Sequence, residues 1–230
     1  MARGYRSCLF ASDRNRCGVW AELECSFLNP YQARWQYAAD TVGLGFAQGK
    51  TMLWRRDILD RLGGIRTLGT EIAEDAAATK LVRRAGLRVR LVDGPFPQPL
   101  GNRTFRDVWN RQLRWSRLRR ATFKPFFAFE ILSGGLPPLL AAATLAHLTG
   151  WPLVASTAAF MTLWYGAEVL LCRAAGWPLS WRTPVLAVMR DGLLPILWIA
   201  GWLGNDFVWR GNQMQALEVP EISAADPLKS

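Results

Sequence analysis

Histidine is almost absent from this chain: His147 is the one example in 230 residues, and it lies in an apolar run. The four cysteines, Cys8, Cys17, Cys25 and Cys172, form no Cys-x-x-Cys pair and have no histidine cluster beside them. Zinc ligands usually show such spacing, so no zinc site is expected, and His147 reads as a packed residue. Nothing points to disulfides, which places the globular part in a reducing cytoplasm. The N-terminal Met1-Ala-Arg-Gly-Tyr-Arg6 has no apolar run of the signal-peptide kind, so membrane insertion has to come from internal segments. There is no internal repeat, no low-complexity tract and no Asp-x-Asp anywhere.

Acid is also scarce where base is dense. Arg103, Arg106, Arg111, Arg114, Arg117, Arg119, Arg120 and Lys124 face only Asp107, so eight cations against one acid leave +7 of the chain's net +10 between Gly101 and Lys124. Segregated positive charge seeks an anionic partner: phosphate, anionic lipid or nucleic acid. The neighbouring apolar stretch favours lipid headgroups. No nucleic-acid-binding fold is evident, and no nucleic-acid partner is expected.

Four regions follow from the patterning. Residues 1–102 read as a mixed α/β globular part. Within it, Thr51–Trp54 and the alternating Leu87–Val92 are strands. A short helix at Asp57–Leu62 stops at Gly63-Gly64. A second helix spans Glu71–Ala85, with Thr70 as its N-cap and Gly86 as its stop. The prolines at 95, 97 and 99 make an irregular loop. Residues 103–125 form a basic amphipathic helix, Thr104–Thr122, suited to a membrane interface. Residues 126–204 hold two or three membrane segments. Phe126–Leu148, kinked by Pro137-Pro138, and Trp151–Cys172 are long enough to span ~30 Å of hydrocarbon at ~1.5 Å per residue. Pro184–Trp202 is interrupted by Arg190-Asp191, and a charge at mid-membrane is costly unless paired, so a re-entrant or interfacial element is expected there. Seven of the twelve tryptophans fall in this half, several beside the apolar stretches, as in an interfacial belt. Residues 205–230 are a polar C-terminal tail, acidic and loosely ordered over Gln213–Ser230.

Two groups of residues are suited to chemistry. Glu71, Glu74 and Asp75 fall at i, i+3 and i+4 and share one helix face. Acids in a first turn complement the helix dipole without further purpose. Three on one face also repel one another, and a carboxylate there could take a proton from an acceptor hydroxyl. Arg111, Arg114 and Trp115 lie within one turn. Paired guanidinium groups cradle a diphosphate and stabilise the charge that builds on a leaving nucleotide, and a Trp face offers a stacking surface. The same arginines could instead snorkel from an interfacial helix.

Together Asn29-Pro-Tyr-Gln-Ala-Arg-Trp35, Gly45-Phe-Ala-Gln-Gly-Lys-Thr-Met-Leu-Trp-Arg-Arg-Asp57, Ile72-Ala-Glu-Asp75, Arg111–Trp115 and Trp209-Arg210-Gly211 resemble, in order, the motifs of inverting glycosyltransferases of the GT-A fold. The nearest likeness is to glycosyltransferase family 21, the ceramide glucosyltransferases, and to bacterial and hopanoid-associated relatives with family 2 character. The resemblance implies an α/β GT-A domain followed by a helical membrane region. It makes Asp75 the base with Glu74 beside it, and gives donor pyrophosphate and acceptor to Arg111, Arg114 and Trp115. Gln48, Gly49 and Lys50 would lie on the acceptor side. The activity implied is transfer of a hexose, glucose from UDP-glucose, to ceramide or another lipid hydroxyl. The setting is a multi-pass membrane protein whose catalytic part faces the cytoplasm, with membrane lipids, a UDP-sugar donor and a lipid acceptor as partners.

Such enzymes carry a uracil-binding aspartate and an Asp-x-Asp that holds Mg or Mn. Neither is found here, and Glu22-Leu-Glu24 stands in a segment the family uses differently, so no metal site is expected in this chain. The chain therefore reads as the C-terminal half to two-thirds of such an enzyme, inactive alone. The alternatives are a processive polysaccharide synthase of family 2, for which two or three membrane segments are too few to form a channel, and a non-catalytic membrane-anchored module.

Overall fold

The computed structural model of the chain describes residues 2–4, 18–48, 52–70, 73–92, 100–209 and 212–216. The architecture is mostly helical, with two small sheets. The α/β character expected of the first hundred residues is confined among the described residues to three short strands: β1 (Ala2–Gly4), β2 (Met52–Leu53) and β3 (Val89–Leu91). Their order is β2-β1-β3, with β1 antiparallel to β2 and parallel to β3. Both strands expected from the sequence are therefore present, each shorter than its apolar pattern.

The largest departure is at residues 19–41, to which periodicity assigned no element. Here α1 (Val19–Ser26), a π-helical segment (Phe27–Ala33) and α2 (Arg34–Thr41) form one uninterrupted helical run. Pro30 lies inside it. Proline has no N–H and its ring crowds the preceding turn, so an α-helix there must kink or widen. This one widens, which is how a π turn absorbs a local misfit.

Short helices follow as the glycines dictate. α3 (Arg56–Arg61) ends at Gly63 and Gly64, whose φ values are 96° and 75°, and α4 (Glu74–Arg84) ends before Gly86 at φ 69°. The start of α4 corrects the sequence reading. Thr70 closes a 3₁₀ stretch (Ile65–Thr70), and the helix begins after Ala73 with no side-chain cap, so Thr70 is not its N-cap. Glu71 lies outside the described residues. α4 packs through Ala78 and Val82 onto Ala47, Leu68 and Val89.

α5 (Phe105–Thr122) starts as its sequence prescribes. The Thr104 hydroxyl accepts from the Asp107 N–H at 3.2 Å, and the Asp107 carboxylate accepts from the Thr104 N–H at 2.9 Å, a complete capping box. Those bonds from Thr104 hold the Asp107 carboxyl below the usual range. After α5 come α6 (Lys124–Phe129), a 3₁₀ turn (Glu130–Ser133) and α7 (Leu136–Thr149), with a bend of 49° at the break. The bend falls at Gly134-Gly135 and not at Pro137-Pro138. The prolines sit in the first turn of α7, where a missing N–H costs nothing.

α8 (Leu153–Ala174) and α9 (Thr183–Trp202) are the two described helices long and apolar enough to cross a membrane; the bent pair before them makes up to three. α9 is continuous through Arg190-Asp191, so the re-entrant shape expected there is not what forms. The charges are tolerated because they are paired and buried. Arg190 donates to Glu168 of α8 at 2.6 and 2.9 Å, to Asp191 at 2.9 Å and to the Ser26 carbonyl at 3.2 Å. Asp191 also accepts from the Tyr165 hydroxyl and from the Gly135 N–H. Beyond α9, β4 (Asp206–Trp209) and β5 (Asn212–Gln215) form an antiparallel hairpin, whose second strand orders the start of the stretch expected to be loose from Gln213 on; residues 217–230 lie outside the described part.

Candidate active site

α4 carries the acids. Glu74 is exposed and Asp75 is half-buried in the first turn. The Asp75 carboxylate accepts from the Ala76 N–H at 2.9 Å, and its carbonyl accepts from the Thr79 hydroxyl at 2.8 Å. That hydroxyl accepts in turn from the Ala47 N–H at 2.9 Å, while Gln36 of α2 donates to the Phe46 carbonyl at 3.2 Å. The loop before β2 is thus pinned from both sides, and half-buried Gln48 is brought up to α4 next to Ala47. Gly45 is required there: a Cβ would come 2.4 Å from the Val89 carbonyl oxygen. Gly49 and Lys50 lie outside the described residues.

α5 carries the cations, and most are already spent. Arg103 and Arg111 pair with Glu24 of α1. Arg119 donates to Glu130 at 2.8 Å, Arg117 donates to the Asp206 carbonyl, and Arg120 donates to the Gly201 and Trp202 carbonyls at the end of α9 and to Asn205. Arg120 thereby satisfies carbonyls that a helix C-terminus leaves unmet. Only Arg106 and Arg114 of the seven arginines make neither hydrogen bond nor ion pair with a described residue. Arg106 is exposed, whereas Arg114 is half-buried. Burial, and then the neighbouring charge of Arg111, hold the Arg114 guanidinium below the ordinary arginine value. A buried cation without an anion is costly, and here a second cation lies beside it.

Trp115 sits under the Arg111 guanidinium, 5.6 Å from ring centre to Cζ, and packs on Cys25, Leu28 and Leu100. The structure therefore brings Arg111, Arg114 and Trp115 together as the spacing implied, but Arg111 leans on a carboxylate. Neither arginine pairs with Glu74 or Asp75. Between them, Lys80 of α4 lies over the ring of Phe123, just past α5.

The sequence reading gave Glu22-Leu-Glu24 no role beyond a poor likeness to a metal motif. Both acids are answered by arginine: Glu22 by Arg182, Glu24 by Arg103 and Arg111. No group of three or more His, Cys, Asp or Glu side chains comes together among the described residues.

Helices of spanning length, packed against a helix whose Arg114 has no anion among the described residues, make this a membrane-associated protein. It matches the glycosyl transferase family 21 over residues 7–222 and belongs to that family, so it is of the glycosyltransferase class. Ceramide glucosyltransferase 1 of Caenorhabditis elegans is 24% identical over 207 residues, which are 88% of this chain and 44% of that protein. Ceramide glucosyltransferase 3 of the same organism is 22% identical over 206 residues, 86% of this chain and 44% of that protein. The chain thus spans less than half the length of the curated relatives it matches. No solved structure matches it.

Proposed function

We propose that this chain is the acceptor-side portion of an inverting hexosyltransferase of GT-A type that moves glucose from UDP-glucose to ceramide or another lipid hydroxyl. The observation that carries this reading is Arg114: a half-buried guanidinium with no anion among the described residues, next to Trp115 on a helix packed against apolar segments. Such a cation is matched to a ligand diphosphate. Both relatives are ceramide glucosyltransferases, and the sugar and the lipid of this reading follow them.

In this scheme the Asp75 carboxylate takes the proton of the acceptor hydroxyl. The freed oxygen attacks the anomeric carbon from the face opposite the nucleotide, the bond to the diphosphate oxygen breaks, and UDP leaves with the bonding electrons. Arg114 faces the charge that grows on the leaving diphosphate. Glu74, exposed one residue before the base, supports its position on the turn.

The test is Asp75→Asn in the full-length gene product. A general base contributes roughly 10²–10⁴ in rate, so turnover should fall by that order while UDP-glucose affinity is little changed. Glu74→Gln should cost less. Turnover above about a third of wild type in Asp75→Asn would remove Asp75 from this role.

A further inference from the structure

Glu24 is fully buried on α1. A buried carboxylate is stable only if it is paired. Its partners come from α5 and the residues just before it: Arg111 donates to one oxygen, and the Arg103 Nε lies 3.2 Å from the other. The side chain of Arg111 keeps 20% of its surface exposed, and its guanidinium lies over Trp115. One carboxylate thus fixes the arginine at the first position of Arg-x-x-Arg-Trp and, through it, the indole ring. Arg114, three residues on, has no such anchor.

The two arginines of the motif are therefore not equivalent. A guanidinium has five N–H donors in a rigid fork, so Arg111 can hold Glu24 with one edge and still present another. Two cations about Glu24 also leave that buried cluster with a net positive charge.

We infer that Glu24 is a positioning residue acting through Arg111, which leaves Arg114 as the principal grip on the donor diphosphate. The inference rests on the proposed reading of this motif as a diphosphate clamp. With Glu24 neutralised, Arg103 and Arg111 become two adjacent half-buried cations that no longer share a carboxylate. Their repulsion drives Arg111 out from over Trp115, and the clamp loses its fixed edge.

The experiment is a double-mutant cycle in the full-length gene product in membranes, with UDP-glucose as donor and ceramide as acceptor. Glu24→Gln should lower kcat/KM for UDP-glucose by about tenfold, with the loss in kcat more than in the ceramide KM. In an Arg111→Gln background the same substitution should change kcat/KM by less than about twofold, since the residue it acts through is gone. Glu24→Asp keeps the charge and the fold, and should retain more activity than Glu24→Gln. A residue that merely glued α1 to α5 would lower the melting temperature and leave kcat per folded enzyme unchanged. That result, or losses that multiply in the double variant, overturns the inference. An unaltered Glu24→Gln beside a crippled Arg114→Lys also overturns it while leaving the clamp in place. Full activity in both Arg111→Gln and Arg114→Lys overturns the clamp and this inference with it.

Discussion

At the scale of single residues, what separates the arginines of α5 is whether a carboxylate or carbonyl of the protein already answers them. Lysine can replace an arginine that only carries charge to the surface, but not one that grips a diphosphate with a planar fork. Arg106 and Arg114 are the fair pair to compare, because neither has a partner among the described residues. Arg119, with its two bonds to Glu130, would confuse the comparison. Arg114→Lys should lower turnover by at least tenfold with UDP-glucose, and Arg106→Lys should leave it within about twofold; initial rates in the same membranes check both. Equal tolerance of lysine at the two positions would reduce Arg114 to a snorkelling residue. Sequence spacing brought Arg111, Arg114 and Trp115 to one turn correctly. It could not show that Arg111 is held by Glu24, because the two are 87 positions apart and nothing local links them.

At the scale of elements, the charged pair in α9 holds more of the fold together than its apolar neighbours. Arg190 ties α9 to Glu168 of α8 and to the carbonyl that ends α1, and Asp191 holds the Gly134-Gly135 bend through the Gly135 N–H at 2.8 Å. Removing one partner of a buried pair leaves the others uncompensated, which costs about 3–5 kcal/mol. Arg190→Met should therefore lower stability by about that amount, read from heat or denaturant unfolding in mild detergent. The bend is equally intolerant of volume. A Cβ at Gly135 would lie 2.5 Å from the Asp191 carboxylate and 2.8 Å from the Trp164 indole nitrogen, so Gly135→Ala should separate α7 from this network and lower the melting temperature, whereas Gly166→Ala, with open space around it, should not. Elements set by local signals were legible in the sequence: the Thr104–Asp107 box is a three-residue bond, and Gly63, Gly64 and Gly86 act at their own φ angles. The unbroken helix through Arg190 was not, because the partner that makes those charges affordable lies in another segment.

At the scale of the whole molecule, the apolar helices do not all stand in the same surroundings. α7 and α8 turn Leu145, Leu148, Val154, Leu163 and Leu170 outward, as a hairpin in lipid would. α9 instead shares a core with α1 and α5, in which Leu23, Phe27 and Val108 meet Leu186 and Leu197. α5 stays beside α9 to its end, through Ser116 on the Leu197 carbonyl and Arg120 on the Gly201 and Trp202 carbonyls. If α9 crossed the bilayer, α5 would be drawn in with it, and arginine at mid-membrane costs roughly 2.5–3.5 kcal/mol even on lenient scales. Arg106 and Arg114 have no partner to offset that. The arrangement favours an inserted α7–α8 hairpin, with α9 and α5 lying together along the membrane boundary. Since Arg117 holds the Asp206 carbonyl, the β4–β5 hairpin must then stay with the end of α5 on that same side. In a protein whose native cysteines are replaced by serine, Arg106→Cys and Gln213→Cys should both react with a membrane-impermeant maleimide from the cytoplasmic face. A crossing by α9 would carry Gln213 through to the far side, and would show as labelling of Gln213→Cys from the outside alone.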